Sequence, residues 1–244
     1  LYDSTLIQGT TPIGIGNWGQ QRSQWIINEL KLNGYKSALE IGCADGFLLR
    51  YLQTQGMTDL VGIEPSLKKS YSKDSISYIK ENVKPGLLLN KKFDLIYSVA
   101  VFEHIKDING VMRFVHDHIA DEGELFFVVP NALLQLKQGD PALFVHQHFH
   151  YFTENTLTKL LSENGFKIKS IKATQDAYYV HAEKAIPGKP SKIEPHLFSE
   201  YSSTLEALLE RLSQIAKMQR LAFHGVSGSL HNILSWLKLP HASY

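Results

Sequence analysis

The segment from Ser37 to Leu49 constrains the fold of this chain more than any other part of the sequence. It begins as a short apolar strand, passes through an acidic turn that contains glycine, and continues at once as an apolar helix. Gly42 permits close approach of the backbone to a ligand, and Gly46 lets the helix begin tightly against the strand. This arrangement predicts an α/β fold that holds a nucleoside-bearing cofactor at the carboxyl end of the strand.

Carboxylates stand where they can serve such a cofactor. Glu40 and Asp45 supply hydrogen-bond acceptors at the carboxyl end of the first strand. A second strand over 60–64 ends in Glu64, which follows Gly46 at about the 20-residue interval at which doubly wound folds deliver a carboxylate to ribose hydroxyls. The sequence therefore predicts that Glu40 and Glu64, from neighbouring parallel strands, converge on one nucleoside.

Strands and helices alternate through the middle of the chain, which implies a mostly parallel sheet. Two alternating segments at the end of this region are typical of an antiparallel hairpin. After the strand that begins at Ser37, further strands are expected at 60–64, 76–79, 93–99, 123–129, 166–173 and 177–183. Helices are expected at 20–32, 47–55, 108–120, 153–164 and 196–220. Thr153 caps its helix in this prediction, with Thr156 in place of the glutamate of a full capping box.

The chain divides into four predicted parts. Residues 1–19 are polar and glycine-rich and are expected to form a flexible leader or a lid. Residues 20–186 form the main domain, and a linker with prolines occupies 187–195. Residues 196–244 hold one long helix and a partial strand-turn-helix unit. Because one such unit is not stable alone, it must pack on the main domain or on a partner, or belong to a longer protein.

Four pieces of the sequence resemble, in order, the successive motifs of class I S-adenosylmethionine (SAM)-dependent methyltransferases, namely Leu39–Gly46, Val61–Pro65, Phe93–His104 and Gly123–Pro130. The resemblance covers most of residues 37–183. It implies a Rossmann-like, mostly parallel seven-stranded sheet with an antiparallel final hairpin, plus a C-terminal helical appendage. Ala44 stands where many members carry the middle glycine of the turn. This favours SAM over NAD, because a pyrophosphate needs bare backbone nearby and SAM carries no phosphate.

The resemblance also implies which residues surround the cofactor. They lie in the glycine turn, on the third strand, and after the second and fourth strands. The expected SAM-binding residues are Glu40, Gly42, Cys43, Asp45, Gly46, Glu64, Pro65, Tyr78 and Ala100. Cys43 is the only cysteine and is explained more simply as a small apolar filler than as a nucleophile. A chain with one cysteine forms no internal disulfide, which indicates a reducing cytoplasm.

The densest cluster of titratable aromatic side chains lies just before the helix at 153–164. On a strand, His146, His148 and His150 would point to one side, where three imidazoles suit either acid–base chemistry or a metal ion. A metal ion here would indicate a metal-dependent hydrolase. The alternative is that one or more of these histidines pack structurally beside the neighbouring phenylalanines.

The same segment resembles sugar C-methyltransferases, which act on nucleotide-linked deoxy sugars and carry an acidic residue and a histidine followed closely by Tyr-Phe. Here Gln147 and His148 stand at these positions, with His150, Tyr151 and Phe152 after them. The resemblance makes His148 the candidate general base. Gln147 can hydrogen-bond a hydroxyl or an enolate but cannot accept a proton at neutral pH, so O- or N-methyl transfer to another small molecule remains the alternative.

Further candidates follow the fourth strand. Glu103 and His104 are expected to border the methyl donor and acceptor, or else to cap the helix that starts near Asp107. The catalytic candidates are His148, Gln147, His150 and His104. The substrate-binding candidates are Glu103, His146, Tyr151 and Asn131, and no metal ligand is assigned.

The charge balance and the hydropathy limit the partners. The chain has 25 Lys and Arg residues against 24 Asp and Glu residues, which disfavours a nucleic-acid partner. No apolar run approaches the ~20 residues that span a bilayer. The expected partner is a small-molecule substrate such as a nucleotide sugar, and an oligomer could form through the C-terminal helices. A noncatalytic subunit that binds a partner through these helices is a further alternative.

Overall fold

The computed structural model describes residues 28, 34–139, 143, 147–188 and 196–218. The predicted leader, the helix over 20–32 apart from Asn28, and His146 lie outside these residues. So do most of the predicted linker and the strand-turn-helix unit that follows the last helix. The four-part division of the chain therefore stays a prediction.

An eight-stranded sheet forms the centre of the described chain. The strands are β1 (Ser37–Ile41), β2 (Asp59–Ile63), β3 (Tyr71–Lys73), β4 (Ile76–Ile79), β5 (Phe93–Val99), β6 (Ile119–Pro130), β7 (Phe166–Ala173) and β8 (Ala177–Lys184). They are ordered β3-β4-β2-β1-β5-β6-β8-β7 across the sheet. The five strands from β4 to β6 in this order are parallel, whereas β3, β8 and β7 are antiparallel to their neighbours. The predicted mostly parallel sheet with an antiparallel final hairpin is confirmed.

Helices cover both faces of this sheet. They are α1 (Phe47–Thr54), α2 (Ile108–His118), α3 (Ala132–Gln138), α4 (Glu154–Glu163) and α5 (His196–Met218), and a 3₁₀ turn spans Phe102–His104. The apolar side of α1 lies in one core cluster, and the apolar sides of α2 and α4 lie in the other. All five residues of β1 are buried, as a strand covered on both faces requires. This layered core fixes the carboxyl ends of β1, β2 and β5 at one edge of the sheet.

Three elements differ from the sequence-based expectation. β3 is an additional edge strand, so the sheet has eight strands rather than seven. All three residues of β3 are exposed, so the sequence shows no apolar alternation that would predict a strand. The segment is a strand because it pairs with β4. β6 begins at Ile119, directly after α2, where a longer helix was expected. The short helix α3 was not predicted.

The long C-terminal helix is confirmed over most of its predicted length. Tyr201 is buried beside Ala132 and Leu136 of α3, and Leu205 packs against the same small cluster. The helix is therefore attached to the main domain through α3. Within the described residues, no helix combines the length and the apolar character needed to cross a membrane.

Candidate functional site

The turn after β1 has a backbone shape that requires glycine at two positions. Gly42 and Gly46 have φ angles of +75° and +74°, in the left-handed region. A Cβ on Gly42 would lie 2.3 Å from a methyl carbon of Val101, and a Cβ on Gly46 would lie 2.5 Å from the ring of Tyr78. The turn is thus packed against the segment after β5 on one side and against β4 on the other.

Two alanines, one within this turn and one directly after β5, also have left-handed backbone. Ala44 has φ 45° and Ala100, which follows β5, has φ 54°. This region costs a residue with a Cβ about 1–2 kcal/mol. The Ala44 N–H donates to Oε2 of Glu64 at 3.2 Å, and the Ala100 N–H donates to the Val128 carbonyl at 2.8 Å. The surrounding structure imposes these conformations, as is common at functional sites.

Glu64 joins the ends of β1 and β2. Its side chain is buried, and besides the Ala44 N–H it accepts hydrogen bonds from the Ser66 N–H at 2.9 Å and the Ser66 hydroxyl at 2.5 Å. A carboxylate offers about four lone-pair positions, so this one retains capacity for further donors such as ribose hydroxyls. The position and chemistry of Glu64 fit its predicted role.

Glu40 is in a different environment from Glu64. Its side chain is 1% exposed, and Oε2 accepts a hydrogen bond from the Tyr97 hydroxyl at 3.1 Å. Burial raises the pKa of Glu40 well above its usual value, and the nearby carboxylates of Asp45 and Glu64 raise it further. The two predicted carboxylates therefore approach each other and are both buried, but Glu40 is held by Tyr97 from the neighbouring strand whereas Glu64 is held by the backbone of Ala44 in the turn and by Ser66.

The other residues of the turn stabilise its shape. The Asp45 carboxylate accepts a hydrogen bond from the Phe47 N–H at 3.2 Å and lies 3.5 Å from the Arg50 guanidinium. Cys43 is buried, and burial raises the pKa of its thiol, so it acts as the expected apolar filler. Tyr78 stacks on Tyr71 with ring centroids 4.6 Å apart. Pro65 is half-buried directly after Glu64.

A second group of residues is built by the 3₁₀ turn after β5 and the loop that holds the histidine cluster. The N–H groups of Phe149 and His150 donate to the Glu103 carbonyl at 2.8 Å and 3.3 Å. Nδ1 of His104 lies 3.1 Å from the Gln147 carbonyl, and Nε2 of His150 lies 2.9 Å from the Ile105 carbonyl. We call this set of bonds the clip. It fixes the histidine loop against the 3₁₀ turn.

The clip brings Glu103, His104 and His148 together. The rings of His104 and His148 meet edge to face with centroids 4.7 Å apart, and Nε2 of His104 lies 3.9 Å from Oε1 of Glu103. Burial, and then the nearby His104, lower the pKa of His148 to about 4, and burial also lowers the pKa of His104. At neutral pH both imidazoles are uncharged and each has a nitrogen that can accept a proton or bind a metal ion.

The expectation that His146, His148 and His150 share one side of a strand is wrong for the described residues. Residues 147–153 form no strand, because the clip bends the segment around the 3₁₀ turn. His150 donates to Ile105 and stacks on Phe152, whereas His148 faces His104. Among the described residues, the side chains that could hold an ion are Glu103, His104 and His148, without His150.

The remaining candidates have identifiable contacts. Asn131 caps α3, accepting from the Leu133 N–H at 3.0 Å and donating to the Thr174 carbonyl at 2.7 Å, which favours a structural role. Tyr151 lies between His148, with ring centroids 6.1 Å apart, and the cluster that α3 and α5 form. The helix after the 3₁₀ turn is capped by Asp107 rather than by Glu103 or His104.

Sequence reasoning missed three supporting residues. Ser66 holds Glu64, and the Glu-Pro-Ser order could have indicated a side chain folded back on its own turn. Tyr97 and Val101 reach Glu40 and Gly42 from across the sheet, and nothing local in the sequence indicates these pairs. They arise from the parallel pairing of β1 with β5.

Comparisons with known proteins agree with this geometry. A family model described as a methyltransferase domain matches residues 21–171. The C-methyltransferase NovU of Streptomyces niveus is 31% identical over 77 residues, which is 32% of this chain and 18% of that protein. The chain therefore matches less than a fifth of the length of this relative.

Solved structures share the fold. A putative S-adenosylmethionine-dependent methyltransferase from Listeria monocytogenes aligns with a TM-score of 0.55 at 14% identity, over 68% of this chain and 99% of that one. N-methyltransferase NodS from Bradyrhizobium japonicum, in complex with S-adenosyl-L-homocysteine, aligns with a TM-score of 0.52 at 18% identity, over 68% and 87%. At these identities the likeness establishes the fold alone.

Proposed function

Because this chain belongs to the methyltransferase domain family, we propose that it is a SAM-dependent enzyme that methylates a sugar or nucleotide-linked keto-sugar with His148 as general base. The observation that carries this proposal is the pair of histidines that the clip holds together after β5.

The turn after β1 fits the cofactor. Gly42 and Gly46 keep the backbone bare where a Cβ would collide with neighbouring side chains, and Glu64 bonds to the turn through the Ala44 N–H. When bound, SAM supplies an electrophilic methyl group. We propose that Glu64 accepts the ribose hydroxyls, that Ala100 and Pro65 border the nucleoside, and that Glu40 and Asp45 preserve the shape of the turn.

His148 suits the role of a base because the clip holds its loop beside the 3₁₀ turn and its ring meets His104. Burial lowers its pKa to about 4, which keeps the imidazole unprotonated at neutral pH but makes it a weaker base than an ordinary histidine, so its contribution rests on its position. In a keto-sugar, His148 would take the proton from the carbon beside the ketone, and the C–H electrons would form an enolate. That carbon would then bond to the methyl group as the S–CH₃ bond breaks, with S-adenosylhomocysteine as the leaving group. A hydroxyl acceptor requires only that His148 take the hydroxyl proton.

The choice of acceptor is supported by two observations of different kinds. The order Gln147, His148, His150, Tyr151, Phe152 resembles the corresponding segment of sugar C-methyltransferases. The relative from Streptomyces niveus is named a C-methyltransferase. We propose Gln147 and Tyr151 as the polar and aromatic groups that contact the acceptor beside His148.

The replacement His148→Ala tests the base. We expect methyl transfer to fall by about 10²–10⁴-fold, the range that a positioned base contributes, with S-adenosylhomocysteine affinity unchanged. Turnover is measured with SAM and a panel of nucleotide sugars, and affinity by calorimetry. His116→Ala is the matched control, since His116 lies on α2 beside Phe166 and outside the clip. Equal losses of turnover and cofactor affinity in His148→Ala would instead make His148 structural.

A further inference from the structure

We propose that Glu103, His104 and His148 form a binding site for a divalent transition-metal ion such as Zn²⁺, and that the ion and the base function of His148 exclude each other. The binding site stands on the geometry of the three side chains. Only the exclusion rests on the function proposed above.

The distances between the three side chains suit one ion. One ligand atom from each of Glu103, His104 and His148 lies within 4.8 Å of the others. Around a tetrahedral zinc ion with bonds of about 2.1 Å, ligand atoms stand roughly 3.4 Å apart. The most distant pair must therefore close by up to about 1.4 Å, whereas Nε2 of His104 and Oε1 of Glu103, 3.9 Å apart, must close by only about 0.5 Å.

The hydrogen bonding of His104 orients a lone pair toward the site. Nδ1 of His104 lies 3.1 Å from the Gln147 carbonyl, and a carbonyl can only accept, so Nδ1 carries the proton. Nε2 of neutral His104 then presents its electron pair toward the Glu103 carboxylate, 3.9 Å away. A backbone carbonyl that fixes the second nitrogen is the usual support of a metal-binding histidine.

The donor set selects the class of ion. Two imidazoles and one carboxylate are the ligands of several catalytic zinc sites, which leave a fourth position to water or substrate. Imidazole nitrogens favour zinc and its neighbours over magnesium or calcium, which prefer oxygen ligands.

The backbone of the site is held in place by the clip. The Glu103 carbonyl accepts a hydrogen bond from the Phe149 N–H at 2.8 Å, and the Ile105 carbonyl accepts one from Nε2 of His150 at 2.9 Å. Glu103 and His104 therefore stay beside His148 without a ligand. A site arranged in advance requires less ordering when the ion binds.

Occupancy by a metal ion would remove the base. The electron pair that His148 gives to the ion is the pair that would accept a proton from the substrate. Zinc should therefore suppress methyl transfer that depends on His148, and removal of zinc should restore it.

Binding is tested first, without substrate and without SAM. Zinc chloride is titrated into chelator-treated protein in a calorimeter or against a metal-sensitive dye. We expect one ion per chain, with affinity reduced about 10–100-fold or more in Glu103→Gln and in His104→Ala. His116→Ala should bind as the unaltered protein does. Circular dichroism and thermal unfolding check that each variant folds, and His104→Gln replaces His104→Ala if the latter does not.

The outcomes separate the two claims. Failure of the unaltered protein to bind zinc, or unchanged affinity in both ligand variants, overturns the site. Zinc binding at these residues with a loss of turnover that EDTA reverses supports the whole proposal. Zinc binding at these residues with increased turnover keeps the site and overturns both the exclusion and the base assignment. Full turnover in His148→Ala overturns the base assignment while the binding result stands.

Discussion

At the scale of single residues, the cofactor end of the site depends on a few side chains with defined partners. Glu64 accepts from Ala44 and Ser66 and still has lone pairs available. Ala44 keeps a left-handed backbone that its Cβ disfavours. Each of these features predicts a measurable effect.

The replacement Glu64→Gln should weaken cofactor binding. The amide keeps the size of the side chain but loses the charge, and its NH₂ group cannot accept hydrogen bonds from ribose hydroxyls. Hydrogen bonds to a charged group contribute about 1.5–3 kcal/mol, so S-adenosylhomocysteine affinity should fall roughly 10–100-fold in calorimetry. Glu122→Gln, on an exposed residue near the start of β6, is the control. Unchanged affinity in Glu64→Gln would remove this carboxylate from the nucleoside site.

The replacement Ala44→Val should destabilise the protein. A β-branched side chain is strongly disfavoured at φ 45°, so we expect the free energy of unfolding to fall by about 1–2 kcal/mol or more. Denaturant unfolding measures the change. The same replacement at Ala173, an exposed position in β7, should be close to neutral because β-branched residues suit strands. Equal effects at both positions would show that the turn tolerates a β-branched residue.

At the scale of elements, the clip connects the 3₁₀ turn after β5 with the histidine loop. Neither segment has the length of a stable helix or strand, and their hydrogen bonds run mainly to each other. The loop conformation therefore depends on these bonds. His150 supplies one of them through its side chain, so we infer that it is a positioning residue.

The replacement His150→Ala should lower turnover by about 10-fold or more and leave S-adenosylhomocysteine affinity unchanged, because the displaced loop carries His148 away from its position. His150→Gln should recover part of the activity, since its amide N–H can reach the Ile105 carbonyl in place of Nε2. Turnover and amide hydrogen exchange at Phe149 report on the clip together. Loss of activity without faster exchange, and without rescue by glutamine, would indicate a direct chemical role for His150.

At the scale of the whole molecule, the buried carboxyl of Glu40 links stability to pH. The folded state raises the pKa of Glu40 chiefly by burial. Above the ordinary pKa the unfolded chain loses this proton, whereas the folded chain keeps it to higher pH. The folded state then holds more protons, so the contribution of Glu40 to stability falls as pH rises through this window. Burial lowers the pKa of His148 in the folded state, so the contribution of His148 to stability rises as pH rises.

The replacement Glu40→Gln should isolate this effect. The amide still accepts the Tyr97 hydroxyl but has no proton to lose. The difference in unfolding free energy, variant minus unaltered protein, should become more positive from about pH 5 to about pH 8. Denaturant unfolding at several pH values measures it. A difference that does not change with pH would show that Glu40 titrates normally in the folded protein.

Local patterns were sufficient to predict most of the elements that carry the site. β5 was predicted with its observed bounds, and β4 was predicted from a short apolar segment between lysines. Thr153 and Thr156 form a reciprocal capping box although the expected glutamate is absent. The strand β3 was not predicted because its three residues are exposed and show no apolar pattern. Its strand conformation depends on pairing with β4, which the local sequence does not indicate.

The sequence by itself determined the glycine turn, the acidic ends of β1 and β2, and the order of strands and helices, because these follow from backbone freedom, charge and periodicity within short segments. Only the tertiary structure decided that Glu40 lies in the core against Tyr97, and that His148 meets His104 and Glu103 rather than His150. Those contacts join residues far apart in the chain. Parallel pairing of β1 with β2 and β5 brings the carboxyl ends of these strands to one edge of the sheet. Hydrogen bonds of the clip then orient His104 toward the histidine loop, and no local pattern in the sequence indicates these bonds.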